Sequence, residues 1–85
     1  MNVQTVKIIG KYCRKFRINE LEMTLKEVEG SENVKTLSSF EHGRSSNLKH
    51  LLKYVKACKT REQKLKFLQG LINVIEEEDV GTWQM

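Results

Sequence analysis

The twenty-one residues from Thr24 to Arg44, TLKEVEGSENVKTLSSFEHGR, constrain the fold of this chain more than any other stretch. Thr24 followed three residues later by Glu27 has the form of a capping box. In that motif the threonine oxygen accepts from an early backbone N–H and the glutamate reaches back to the N–H of the cap. Leu25 and Val28 then share one face of a helix too short to persist without packing. Gly30 and Ser31 interrupt it, and Asn33 is placed to cap a second helix whose Leu37 and Phe40 lie three apart on one side. Gly43 provides the left-handed residue that commonly ends a helix. Two short helices, a tight turn and a defined stop make a helix-turn-helix.

The rest of the chain reads as helix as well. It holds no proline and only five glycines, and no apolar run reaches the ~20 residues needed to span a bilayer. The amino terminus lacks the basic-then-apolar layout of a signal peptide, so the expected location is cytoplasmic. With 85 residues, one small domain is expected, its core just sufficient for independent folding. Helix 1 is expected over Val3–Arg17, with Val6, Ile9, Cys13 and Phe16 inward and Lys7, Lys11 and Arg14 as a basic stripe, and a link over Ile18–Met23 that puts Leu21 or Met23 into the core. Helix 4 is expected over Asn47–Ala57, burying Leu48, Leu51, Leu52 and Val55 and showing Lys49, Lys53 and Lys56 on the other side. Thr60 and Gln63 suggest a second capping box opening helix 5, over Arg61–Glu78.

Helix 5 carries two apolar stripes. Leu65, Leu68, Ile72 and Ile75 form one, read here as the stripe that closes the core. Phe67, Leu71 and Val74 form the other, which is either extra core or a surface buried against a second subunit, the second being the favoured reading. The acidic run Glu76–Asp79 opposes the helix dipole, so fraying is expected there, and residues 79–85 with Trp83 are set apart as a tail from the domain over 1–78.

The wording TLKEV … LSSFEHGR resembles the Cro/C1-type (XRE) helix-turn-helix, whose pattern runs T-x-x-E-L-A, a turn, then S-x-x-E-x-G. The phrasing TLKEVEG … LSSFE.G is closest to the DNA-binding domains of Rgg-like Gram-positive regulators, and the likeness extends to IGKYCRKFR at 9–17 and LLKYVKAC at 51–58. The turn is shorter than the family pattern, Glu29 stands where the family has a small alanine, and Glu32 sits beside the entry to the second helix. The resemblance implies an all-α, compact five-helix repressor-like domain with helices 2 and 3 as the helix-turn-helix. It also implies a bidentate pair between Arg17, at the end of helix 1, and Glu41 of the S-x-x-E-x-G segment.

A function follows from that resemblance: a sequence-specific transcription regulator, of the phage or mobile-element repressor kind, binding double-stranded operator DNA as a homodimer. Helix 3 would read bases with Asn33, Val34, Lys35, Ser38 and Ser39. Lys26, His42, Arg44, Ser45 and Lys49 would hold phosphates. The alternative is a protein of the same fold that binds another regulatory protein, as an antirepressor or modulator would. Its support is charge: residues 20–43 carry a balance of −4, with Glu29 and Glu32 prominent, whereas residues 1–19 carry +5 and 44–66 carry +7. Nothing suggests an enzyme or a cofactor, since there is no phosphate loop and no catalytic arrangement beyond chance for this length. Cys13, Cys58, His42 and His50 lack metal-ligand spacing, so no metal is expected; Cys13 reads as core and Cys58 as half exposed.

Overall fold

The computed structural model describes residues 3–30, 34–45, 47 and 49–83, with only the backbone course of Val3 and residues 78–83. The described residues are helical with no strand: α1 (Val3–Phe16), a π-helical turn (Arg17–Leu21), α2 (Leu25–Glu29), α3 (Val34–Glu41), α4 (Lys49–Ala57) and α5 (Arg61–Trp83). Among them no helix is long and apolar enough to cross a membrane.

The face expected of α1 is the one it buries: Val6, Ile9, Cys13 and Phe16 all point into the core. Gly10 sits between them because α3 leaves no room for a side chain. A Cβ there would lie 2.3 Å from the Phe40 carbonyl oxygen and 2.9 Å from that of Glu41. Close approach of α1 to the end of α3 therefore depends on this glycine.

The expected link over Ile18–Met23 is instead a wide turn of helix. Glu22, with φ 53°, donates its N–H to the Arg17 carbonyl, and Met23 N–H reaches the same oxygen at 3.1 Å. Arg17 Nη1 donates back to the Met23 carbonyl at 2.9 Å, so one residue closes the turn from both sides. Leu21 enters the core and Met23 packs at its margin.

A chain of rings forms the centre. Tyr12 and Phe16 of α1 meet Phe67 of α5 at centroid distances of 5.6 and 4.9 Å; Phe67 stacks on Tyr54 of α4, and Tyr54 is followed by Phe40 of α3 and then His50. This arrangement corrects the expected orientation of both C-terminal helices. Along α4 the buried residues are His50 and Tyr54, with Leu51 and Val55 half-buried, while Leu52 is 56 % exposed. Tyr54 wins because its ring fills the centre while its hydroxyl finds a carboxylate, as a buried phenol requires. Leu48 lies outside the described residues.

On α5 the two stripes exchange roles. Phe67 and Leu71 are buried in the chain's own core, with Val74 packed beside them, so these three are not available as a subunit interface. Leu65, Leu68 and Ile72 are the exposed ones, and only Ile75 of that stripe packs against the core. Gly70 shares the buried side, and Tyr12 Oη comes close enough there to donate to the Phe67 carbonyl at 2.8 Å. The helix also continues through the acidic run to Trp83, past the expected boundary at 78. At its other end Gln63 N–H donates to Thr60 Oγ1, but Gln63 Oε1 accepts from Lys59 rather than from Thr60. Cys58 is buried, not half exposed.

Candidate nucleic-acid interface

In its described residues, the segment from Thr24 to Arg44 folds as its local signals require. Glu27 N–H donates to Thr24 Oγ1 at 3.2 Å and Thr24 N–H to Glu27 Oε1 at 3.0 Å, which closes the capping box at the start of α2. Hydrogen bonding to the Glu27 carboxylate, first from the Thr24 backbone N–H and then from the Thr24 side chain, holds that carboxyl below its usual pKa. Gly30 ends α2 with φ 72°. At the end of α3, Arg44 N–H reaches the Ser39 carbonyl at 2.9 Å and Gly43 N–H that of Phe40 at 3.0 Å, the paired bonds of a Schellman stop around Gly43 at φ 75°.

α3 turns Leu37, Phe40 and Glu41 inward. Its other side meets the start of α2 in one open hollow lined by Leu25, Val34, Lys35, Ser38, Ser39 and Arg44. Four of the five expected base readers and one expected phosphate ligand therefore share a surface. Asn33 lies outside the described residues. Leu25, expected on the packed face of α2 with Val28, is only half-buried and also lines the hollow; its place as the first residue after the Thr24 cap is the signal in the sequence.

The remaining expected phosphate ligands do not line the hollow. Lys26 is exposed on α2. His42 is exposed, and its Nδ1 lies 2.8 Å from the Ser38 carbonyl, which makes Nδ1 the donor. Ser45 Oγ accepts from Asn47 N–H at 3.3 Å, and Asn47 Oδ1 accepts from Lys49 N–H at 3.1 Å. That cap engages one of the N-terminal amides of α4 itself, so the contribution of Lys49 to an anion would come from its exposed ammonium.

The rigidity of α3 comes from behind. Glu41 accepts from Arg17 Nε at 2.8 Å, from Arg17 Nη2 at 3.1 Å and from Tyr54 Oη at 2.6 Å. The pair is buried, with side-chain exposures of 10 % for Arg17 and 2 % for Glu41. Hydrogen bonding to Glu41 raises the Arg17 pKa further, and burial followed by the Glu41 bond pushes the Tyr54 phenol well above its ordinary value. The bidentate pair implied by the resemblance is present, with Tyr54 as a third member that no spacing rule would have supplied.

Half of the acidic residues in this region are compensated within the chain. Glu29 is half-buried at the end of α2, and both oxygens of its covered side chain face Lys53 Nζ of α4. Glu41 is held by Arg17, and Glu20 by Lys66 at 2.9 Å. Three of the six acids in residues 20–43 thus carry a cationic partner, and Glu32 lies outside the described residues. Among the described residues no group of acidic, histidine and cysteine side chains is arranged to hold a metal. The chain matches no family model, no curated protein and no solved structure.

Proposed function

We propose that this chain binds double-stranded DNA with α2 and α3 as a Cro/C1-type helix-turn-helix, regulates transcription, and acts on its operator as a homodimer. The observation that carries the reading is the gathering of Lys35, Ser38 and Ser39 of α3 with Arg44, just past its end, around one open hollow beside a helix braced by a buried ion pair. α3 has a length and an outward polar face that suit a major groove. Lys35 would donate to a guanine edge, Ser38 and Ser39 would take either a donor or an acceptor, and Val34 would meet a thymine methyl. Arg44, at the Schellman stop, and Lys49, on the first turn of α4, would straddle the backbone phosphates.

Charge supports the same direction. The acidic balance of residues 20–43 was the strongest argument for a protein partner, and one of its two named residues, Glu29, is occupied by Lys53. Its charge is compensated internally and does not repel a phosphate.

Duplex selection from a random pool, followed by titration at two salt concentrations, tests the reading. Lys35→Ala and Ser39→Ala are expected to lose the selected sequence while keeping weak general binding, because base contacts specify. Arg44→Ala and Lys49→Ala are expected to weaken all duplexes alike, each lowering the salt slope by about one unit because one fewer phosphate is neutralised. Absence of any duplex binding at low salt refutes the reading; binding of another regulator by the same wild-type preparation would then establish the protein-partner alternative.

A further inference from the structure

The outer side of α5 is unexplained by the core and unused by the DNA face. Leu65, Leu68 and Ile72 are 54, 42 and 48 % exposed, and their spacing of three and four puts them on one line along the helix. They are not strays from the core, because Phe67 and Leu71 occupy that role on the adjoining side.

The charges along α5 say what fits this line. Its beginning carries Arg61 and Lys64 against Glu62, with Lys66 already paired to Glu20, and its later turns carry exposed Glu76 and Glu77, followed in sequence by Glu78 and Asp79. Cations at a helix N-terminus and acids toward its C-terminus have the same sense as the backbone dipole. Side chains normally oppose that dipole; here they add to it, and α5 becomes a rod positive at one end and negative at the other. A parallel neighbour of the same kind would put like charges together. An antiparallel one cancels side-chain charge and dipole at both ends.

We propose that the Leu65–Leu68–Ile72 line is the contact between two copies of this chain, paired antiparallel about a two-fold axis that crosses α5 near Gly70. Under that symmetry Leu68 of each copy lies beside Ile72 of the other, and the basic start of each helix lies along the acidic turns of the other. The self-complementary charge of one helix selects a second copy over an unrelated chain. The use of this pair on DNA rests on the proposed function, but the pairing itself does not.

Sedimentation equilibrium in the absence of DNA reads it directly. The wild-type protein is expected to dimerise in the micromolar range, and Leu68→Glu or Ile72→Glu to be monomeric with unchanged helicity by circular dichroism. Lys64→Glu and Glu76→Lys should each weaken the dimer about tenfold at low salt, and combining the two changes in one chain should restore it. For orientation, Lys64→Cys protein mixed with Glu76→Cys protein is expected to form the mixed cross-link. A wild type that is monomeric at high micromolar concentration, an Ile72→Glu protein that stays dimeric, or Lys64→Cys protein that links mainly to itself overturns the proposal. A dimer that behaves as expected yet binds no duplex refutes the DNA reading alone.

Discussion

Removing the Arg17 guanidinium while keeping its stem, as in Arg17→Met, isolates the buried ion pair behind α3. In the folded chain Glu41 accepts three hydrogen bonds, two from Arg17 and one from Tyr54, and its side chain is only 2 % exposed. After the substitution the carboxylate keeps one partner in a site that water barely reaches. Breaking a buried pair in this way costs about 3–5 kcal/mol, because the surviving charge is left uncompensated. The whole stability of a domain of this size is roughly 4–13 kcal/mol, so the variant should be marginal. Replacing both partners, Arg17→Met with Glu41→Leu, removes the stranded charge and should cost less than the two single changes added together. The expected coupling exceeds about 2 kcal/mol and survives high salt, which screens exposed pairs but not buried ones. Urea unfolding followed by far-ultraviolet circular dichroism, on the wild type, both singles and the double, measures it. Tyr54→Phe, which deletes only the third hydrogen bond, should lose about 1.5–3 kcal/mol in the same assay. Single losses that add to within about 0.5 kcal/mol, or an Arg17→Met loss within the ~0–1 kcal/mol of a surface pair, would refute the argument.

Two further expectations follow from the packing. Gly10→Ala should lower the melting temperature although alanine is the better helix former by about 1 kcal/mol, because the new methyl would lie 2.3 Å from the Phe40 carbonyl oxygen; a more stable variant would mean that α1 and α3 do not approach this closely. Stability should also fall at alkaline pH. Burial first, then the charge of Glu41, raises the Cys13 thiol; burial pushes Tyr12 up to about 12; and burial, then the Glu41 bond, raises Tyr54. In the unfolded chain these groups ionise near 9.0 and 10.0, so above pH 9 the folded state holds protons that the unfolded state has released. Their contribution is complete below that pH and declines above it, by about 1.4 kcal/mol per pH unit for each group once it ionises in the unfolded chain. Urea midpoints from pH 8 to 11 measure the decline, Cys13→Ala should flatten its first part, and a constant midpoint would contradict the assigned burial.

What the sequence by itself determined is local. The Thr24–Glu27 cap, the left-handed glycines at 30 and 43, the inward face of α1 and the two short helices around the turn follow from hydrogen bonds and backbone conformations within a few residues. The exposed polar face of α3 was readable for the same reason, since Leu37 and Phe40 leave it only one side to show. Other features depended on residues far apart. The π-helical turn owes its closure to Arg17, whose guanidinium also answers Glu41 across 24 residues, and no neighbouring sequence announces it. Lys53, counted as surface, finds Glu29 on another helix. The two apolar stripes of α5 are nearly equal in hydrophobicity, and periodicity gives no preference between them. Only the assembled core decides, because Phe67 completes the ring chain between Phe16 and Tyr54, and the bare side of Gly70 lets Tyr12 come against the helix. Hydrophobic burial has no direction of its own; the shapes of the partners supply it.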